Sequence, residues 1–258
     1  MKSFICDMDG VIYKGKNLIN GADSFIHKLI SSNAKFLFLT NNSEQSAQEL
    51  KEKLNKLGIS GLTENNFITS AIATAEFLKS QEKNKKVFVI GGSAIEEEIQ
   101  KAGFILTDGT DDEAFYVIVG KTKNFNYEML KKACNLITKG AKFIATNPDI
   151  IDPIETGFEP ACGSILASIE SATNKKAYII GKPNALMMQM AKRKLEESSK
   201  NLVMIGDRMD TDIIAGMEAG MTTCLVLSGV STKNTINNFA YKPDYVFEDV
   251  SKIDLNML

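Results

Sequence analysis

Short apolar runs alternate with amphipathic segments along almost the whole chain. The runs lack polar alternation, which is typical of strands buried on both faces of a parallel sheet. Helical periodicity between them predicts helices, for example around 25–30 and over 44–58. The predicted strands are 4–6, 35–39, 86–90, 115–119, 142–145, 177–180, 202–205 and 222–227. This pattern indicates an α/β fold built on parallel sheets.

Composition narrows the class of protein. The 258 residues, 44% of them apolar, suffice for one large α/β domain or a domain that carries an insertion. A net charge of −2 gives no sign of a nucleic-acid or membrane surface. The cysteines form no CxxC pair, which argues against a zinc site and suits a reducing compartment. With no recognisable secretory signal and no apolar run that could span a membrane, we expect a cytoplasmic protein.

Polar clusters follow four of the predicted strands. DMDG follows the first strand, TNNS the second, GKP the strand at 177–180, and GDRMDTD the strand at 202–205. Ligands of parallel sheets bind beyond the carboxyl ends of the strands, because loops and helix N-termini converge there. We therefore expect the four clusters to meet in one site for phosphate and a divalent cation.

Two like charges, Asp7 and Asp9, follow the last apolar residue of the first predicted strand. Carboxylates two positions apart on a strand project to the same side and repel each other unless a positive group lies between them. An EF-hand loop is excluded by Val11, Ile12 and Leu18, and a solvated turn fits poorly between apolar flanks. Mg²⁺ would relieve the repulsion, because this hard cation binds carboxylate oxygens.

GDRMDTD supplies the next acidic candidates. Asp207 comes directly after the strand at 202–205 and is the expected third metal ligand. Asp210 can cap the following helix, and Asp212 could orient Asp207 from behind.

Thr40, Asn41 and Lys182 are the candidate phosphate ligands. TNNS can cap the helix that follows it, and a capped helix N-terminus also binds anions, with Thr40 and Asn41 nearest the strand end. Pro183 favours an extended backbone at Lys182 and can open the helix at 183–195, which would aim the ammonium from the strand end.

The order of DMDG, LTNN, GKP and GDRMDTD resembles that of the haloacid dehalogenase (HAD) superfamily of aspartate-nucleophile phosphotransferases. Within it, LTNNS, TSAIATAEFL, FIATNPD and FEPACGSI are similar to the NagD-like ribonucleotide monophosphatases and nitrophenyl phosphatases. The resemblance covers the whole chain. It implies a Rossmann-like core with a parallel sheet at 1–78 and 180–258 and an inserted α/β cap of the C2 type at 79–179, whose loops shape the substrate pocket.

The resemblance also implies the chemistry. Asp7 attacks the phosphorus and forms an aspartyl phosphate, while Asp9 contacts the substrate, protonates the leaving alcohol and then deprotonates water. Mg²⁺ is bound by Asp7, the backbone carbonyl of Asp9 and Asp207. Thr40, Asn41 and Lys182 hold the phosphoryl oxygens, and Asp212 is a supporting residue behind the metal ligands.

The expected partner is a small phosphorylated metabolite, with nucleoside 5′-monophosphates such as UMP favoured and sugar phosphates left open. A mutase of the β-phosphoglucomutase type is disfavoured, because its cap lies between the first two motifs. A haloalkanoate dehalogenase is disfavoured because it needs neither Asp9 nor Asp207. A phosphate sensor without activity remains the non-enzyme alternative, and the sequence sets no oligomeric state.

Overall fold

The computed structural model describes residues 2–110, 113–154 and 157–255. The strands are β1 (Ser3–Cys6), β2 (Tyr13–Lys14), β3 (Asn17–Leu18), β4 (Phe36–Thr40), β5 (Phe67–Thr69), β6 (Lys86–Ile90), β7 (Ile105–Thr107), β8 (Tyr116–Val119), β9 (Lys142–Ala145), β10 (Ile151–Ile154), β11 (Gly157–Pro160), β12 (Tyr178–Ile179), β13 (Leu202–Gly206), β14 (Thr222–Val226) and β15 (Tyr245–Phe247). The helices are α1 (Ala22–Ser31), α2 (Ala47–Lys56), α3 (Ser70–Lys79), α4 (Ser93–Lys101), α5 (Tyr127–Thr138), α6 (Cys162–Thr173), α7 (Ala185–Leu195), α8 (Ile214–Glu218) and α9 (Lys233–Ile236).

The chain packs as two units. The first unit contains the residues up to Thr40, Ala47–Ile68 and the residues from Lys182 onward. Its sheet has the strand order β15-β14-β13-β1-β4-β5. The pairs from β15 through β4 are parallel, and Cys6 of β1 stands in register with Ile205 of β13. The strands are almost wholly apolar and buried, as expected for a sheet covered on both faces.

The second unit contains Asn41–Ser46 and Thr69–Gly181. Its parallel sheet has the order β12-β9-β8-β6-β7, and β10 and β11 form a separate antiparallel hairpin. The apolar faces of α5 and α6 pack on this sheet around Val117, Val119 and Ala145. Each unit therefore has a hydrophobic core of its own.

The α/β class predicted from the apolar runs is confirmed by these two parallel sheets. The sequence pattern missed β5, β7, β15 and the two hairpins, because these strands are short or partly exposed and lack a continuous apolar run. The core and cap roles assigned to 1–78, 180–258 and 79–179 remain predictions. In the described part of the chain, no helix is long and apolar enough to span a bilayer.

Two predicted helix starts are wrong. α2 begins at Ala47 rather than at TNNS, because Asn42 Oδ1 accepts from the backbone amides of Glu44 and Gln45 and forms a turn ahead of the helix. α7 begins at Ala185 rather than at Pro183, because Asn184 is its N-cap and accepts from the Leu186 amide.

Candidate active site

Three predicted site residues come at the ends of neighbouring strands in the first unit. Asp7 follows β1, Thr40 is the last residue of β4, and Asp207 follows β13. These strands are parallel neighbours in the order β13-β1-β4, so their carboxyl ends lie side by side. All three residues are buried, and the amide of Asp7 donates to the carbonyl of Ile205 across the β1–β13 pair. The parallel sheet thus explains how residues 200 positions apart meet.

Lys182 lies beside these three residues and is the first residue of the C-terminal part of the first unit. Its ammonium is buried and donates to Asp7 Oδ1 at 2.5 Å, to Asp212 Oδ1 at 2.7 Å and to the Leu39 carbonyl at 2.9 Å. Leu39 immediately precedes Thr40, so this lysine lies against the ends of both β1 and β4. A buried ammonium needs such compensation, since leaving it unpaired would cost several kcal/mol, on the order of 3–5.

Glycines make room for the Asp207 carboxylate. Asp207 Oδ2 accepts from the Val230 amide at 2.6 Å. A Cβ atom at Gly10, which has φ +80°, or at Gly229 would overlap the same carboxylate. Asp207 Oδ1 is buried and has no hydrogen-bond partner among the described residues. The chain therefore packs backbone closely around this carboxylate and leaves one of its oxygens unsatisfied.

Asp212 lies behind the strand ends with both oxygens engaged. Its Oδ1 accepts from Lys182 and its Oδ2 accepts from the Arg208 amide at 3.1 Å. It sits in a π-helical turn, Met209–Ile213, that precedes α8. Asp210, to which the sequence assigned no role in the site, makes no side-chain cap to this turn; it is exposed and pairs with the partly buried Arg208 guanidinium at 2.9 Å.

Burial sets the ionisation of this cluster. Burial raises the pKa of Asp7 well above its usual value; the charge of Lys182 opposes this rise, and those of Asp212 and Asp207 add to it. Burial also raises the pKa of Asp207 to about 7, with the Asp212 charge adding to the rise. Burial would lower the pKa of Lys182, but Asp212 and Asp7 hold it above its usual value. One ammonium does not balance the neighbouring carboxylates.

The arrangement fits a divalent cation. Among the described residues, Asp7, Asp207 and Asp212 each offer a carboxylate oxygen within 4.8 Å of the others. A hard cation takes oxygen ligands, and a second positive charge would let these buried groups ionise together. Among these oxygens, Asp207 Oδ1 is the potential metal ligand that has no hydrogen-bond partner among the described residues.

Asp9 lies in the turn after β1 and is exposed, unlike the buried residues of the cluster. The turn is closed by backbone hydrogen bonds from Ile12 to Met8 and from Gly10 to Tyr13, each 2.8 Å long. The Tyr13 hydroxyl reaches Asp9 Oδ2 at 3.4 Å. Sequence reasoning missed Tyr13, since an aromatic residue in an apolar run carries no chemical signal.

Asn41 packs with the second unit, unlike the other predicted site residues. Its side-chain amide donates to Asp149 Oδ2 at 3.1 Å, and its carbonyl accepts from Asn147 Nδ2 at 2.8 Å and from Ser70 Oγ at 2.7 Å. Asn147 and Asp149 belong to the TNPD stretch that the sequence linked to the substrate pocket. The phosphate-binding role of Asn41 remains a prediction.

The second unit holds a charged cluster that the sequence did not reveal. Lys121 Nζ lies 2.6 Å from both Asp152 and Glu159, which face each other across the β10–β11 hairpin, and 3.4 Å from Glu44. Lys123 adds a second ammonium 3.2 Å from Glu159. This lysine-centred cluster clamps the hairpin to the loop that follows β8.

Family models match both ends of the chain. A model described as haloacid dehalogenase-like hydrolase matches residues 4–105, and a HAD-hydrolase-like model matches residues 179–253. The chain is 41% identical to a dihydroxyacetone phosphatase of Corynebacterium glutamicum over 97% of this chain and 90% of that protein. It is 39% identical to the ribonucleotide monophosphatase NagD of Escherichia coli over 99% of both chains.

Solved structures agree with these sequence matches. NagD from E. coli superposes with a TM-score of 0.90 over 98% of both chains at 38% identity, and a p-nitrophenyl phosphatase from Archaeoglobus fulgidus with 0.90 over 97% of both at 34%. A glycerol phosphate phosphatase from Mycobacterium tuberculosis, solved with magnesium, superposes with 0.90 over 96% of this chain and 75% of that one at 28% identity. These relatives are named as phosphatases, which favours an enzyme over a phosphate sensor. The chain belongs to the HAD-like hydrolases and, within them, to the NagD-like phosphatases that act on phosphoric monoesters.

Proposed function

We propose that the protein hydrolyses small phosphate monoesters with the help of Mg²⁺, through an aspartyl phosphate on Asp7, and that nucleoside 5′-monophosphates are its substrates. The observation that carries the proposal is the group of carboxylates at adjacent strand ends, with Asp207 Oδ1 buried and unsatisfied within the described chain. Such a group is costly for a protein to fold around unless a cation binds there.

Mg²⁺ would be held by Asp7, the backbone carbonyl of Asp9 and Asp207. When bound, the ion supplies positive charge that offsets the repulsion between an anionic nucleophile and an anionic phosphate. Asp212 supports the site from behind, because its two oxygens bind Lys182 and the Arg208 amide and so fix the turn that carries Asp207.

The chain's own groups divide the remaining work. Asp7 attacks phosphorus. This role fits its position at the end of β1, where the hydrogen bond from the Lys182 ammonium holds its carboxylate in place. Lys182 adds a buried positive charge beside the nucleophile, where it stabilises charge that develops on the phosphoryl oxygens. Asp9, which is exposed in the turn after β1, can give its proton to the leaving alcohol and then take one from water. Thr40 and Asn41 are proposed to contact the phosphoryl oxygens.

The substrate class rests on the relatives. NagD is named as a ribonucleotide monophosphatase and shares 39% identity over nearly the whole chain, which favours nucleotides. The dihydroxyacetone phosphatase, at 41%, favours a second candidate class, small sugar phosphates. We assign specificity to the region 79–179 as a cap, with the loop at 158–165 contacting the substrate beyond its phosphate.

The test is phosphate release from a panel of phosphomonoesters, with and without Mg²⁺. We expect Mg²⁺-dependent turnover, highest kcat/KM on nucleoside 5′-monophosphates, and lower values on triose and hexose phosphates. A preference for sugar phosphates would replace the substrate proposal by the second class. Full activity in the presence of a chelator would refute the metal site.

A further inference from the structure

Asp9 has two neighbours that none of the assigned roles uses. Tyr13 is fully buried, yet its hydroxyl lies 3.4 Å from Asp9 Oδ2. Lys53, on α2, places its ammonium 3.3 Å from the centre of the Tyr13 ring. All three residues belong to the first unit. They form a chain of contacts from a cation, through a phenol, to the carboxyl proposed as the acid and base.

The backbone holds Tyr13 in place relative to Asp9. The Tyr13 carbonyl accepts from the Gly10 amide at 2.8 Å, and the Tyr13 amide donates to the Met8 carbonyl at 3.3 Å. An isolated β-bridge also pairs the backbones of Asp9 and Tyr13. Tyr13 then starts the β2–β3 hairpin, so its ring has little freedom to move away from the turn.

The hydroxyl and the carboxyl are chemically matched. A phenol is protonated at neutral pH and donates, and a buried hydroxyl needs a partner. By donating to Oδ2, the Tyr13 hydroxyl restrains the orientation of the Asp9 carboxyl. The 3.4 Å distance is longer than the roughly 2.5–3.0 Å of an ordinary O–H···O hydrogen bond, and such long contacts are common for catalytic groups before the substrate binds.

Lys53 strengthens this arrangement through its contact with the Tyr13 ring. Its ammonium sits at cation–π distance, where an ammonium is attracted to the negative face of the ring. The positive charge also makes the phenol a better donor, because it stabilises electron density drawn from the hydroxyl toward the ring. Lys53 is half-buried, so water screens this charge less than at an open surface.

We propose that Tyr13 and Lys53 are positioning residues that orient the Asp9 carboxyl for proton transfer to the leaving group. The inference rests on the proposed function, in which Asp9 is the general acid. The effect of these two residues then depends on the leaving group of the substrate. A poor leaving group such as an alkoxide needs the proton from Asp9, whereas nitrophenolate leaves readily without it.

The leaving-group dependence of kcat/KM tests the proposal, because kcat/KM includes the step in which the leaving group departs. Tyr13→Phe keeps the ring, its packing and the Lys53 contact and removes only the hydroxyl. We expect it to lower kcat/KM about 10-fold for glycerol phosphate and UMP and about 2-fold or less for 4-nitrophenyl phosphate. Tyr245→Phe, on the edge strand β15, is the matched control and should leave the ratio between substrates unchanged.

Lys53→Met provides a second, partly exposed position whose replacement spares the core. We expect a smaller shift in the same direction, about 3-fold, and recovery of the parent ratio in Lys53→Arg, which retains the cation. A purely structural role for the two residues would instead slow all substrates equally or lower stability without changing the ratio.

Asp9→Asn separates failure of this inference from failure of the proposed function. If Asp9→Asn penalises alkyl phosphates selectively but Tyr13→Phe and Lys53→Met slow all substrates alike, the positioning role is wrong and the acid role of Asp9 stands. If Asp9→Asn itself shows no selectivity for the leaving group, the acid role is wrong and the positioning role with it.

Discussion

Within the described residues, each unit surrounds a lysine with three acidic side chains, and the two clusters differ in how completely they are neutralised. Lys182 is 2% exposed and contacts Asp7 and Asp212, with Asp207 beside them. Lys121 has a 13% exposed side chain and pairs with Glu44, Asp152 and Glu159, and Lys123 adds a second ammonium.

The pKa shifts show the consequence of this difference. Hydrogen bonding to Lys121 lowers the pKa of Glu159, so its ionised form is stabilised by the fold. In the first cluster burial dominates and raises the pKa of both Asp7 and Asp207. The Lys121 cluster thus has two ammonium groups for its three carboxylates, whereas the more deeply buried Lys182 cluster has one for three. Similar side chains thus give a structural clamp in one unit and a candidate reaction centre in the other.

The largest expected effect comes from Asp7→Asn. Asn cannot attack phosphorus, so we expect kcat on 4-nitrophenyl phosphate to fall by at least about 10³-fold. Circular dichroism and the unfolding midpoint should show an intact fold, because the amide preserves the shape of the side chain. Turnover within a few-fold of the parent enzyme would refute the nucleophile assignment.

Lys182→Met compares the two lysines directly. It removes the buried charge beside Asp7, and we expect kcat/KM to fall by about 10²-fold or more. Lys121→Met is the matched variant, and we expect turnover of 4-nitrophenyl phosphate within about 2-fold of the parent. If both variants lose the same activity, the division between a reaction centre and a clamp does not hold.

Lys121→Met should act on stability instead. It leaves three carboxylates near one another with only Lys123 to offset them, and we expect the free energy of unfolding to fall by about 1–2 kcal/mol. Urea denaturation measures this change. An unchanged unfolding midpoint would mean that the clamp contributes nothing to the fold.

Opposite pH dependences should distinguish the clusters in metal-free protein. Asp207 has a raised pKa of about 7 when folded, so the folded state binds its proton more tightly than the unfolded chain and stability falls as pH rises from about 4 to about 7. Glu159 has a lowered pKa, so its stabilisation is present at neutral pH and lost as pH falls through its folded pKa.

Replacing each carboxylate by its uncharged amide tests the direction of these two pH dependences. At pH 8 in a chelator, we expect Asp207→Asn to unfold at higher urea concentration than the parent and Glu159→Gln at lower concentration. Toward about pH 3 the Asp207→Asn advantage should disappear, because that pH lies below the pKa of Asp207 in both the folded and the unfolded state. An Asp207→Asn variant less stable than the parent at pH 8 would mean that its carboxylate is already compensated.

A smaller effect on turnover than those of Asp7→Asn and Lys182→Met is expected from exchanging the loop at 158–165 for that of a sugar phosphatase. We expect relative kcat/KM among nucleotide and sugar phosphates to change about 10-fold, with nitrophenyl phosphate turnover changing less. Steady-state rates on the phosphomonoester panel measure this. Equal effects on all substrates would argue against a specificity role for the loop.

Much of the site was accessible to sequence reasoning because parallel sheets place their strand ends together. Asp7, Thr40 and Asp207 each end a fully apolar run, and that position alone predicts their proximity. The same rule cannot predict local turns. Asn42 delays α2 to Ala47 by binding backbone amides, and the amphipathic pattern of that segment contains no trace of this turn.

Contacts between distant segments were harder still to predict. The closeness of Gly229 to Asp207 depends on backbone packing that a single sequence does not encode in any local pattern. The same holds for Lys53 over Tyr13, which joins two segments 40 positions apart through an ordinary surface lysine and an ordinary core aromatic. Lys121 likewise gave no signal, because the hairpin that supplies two of its partners has no continuous apolar run.

Calorimetric titration of Mg²⁺ into the protein tests the central claim, that the Lys182 cluster is completed by a cation. We expect one ion to bind per chain, affinity to fall at least about 10-fold in Asp207→Asn, and no change in Glu159→Gln, whose carboxylate is already paired. No binding to the parent protein, or equal binding to parent and Asp207→Asn, would contradict the claim.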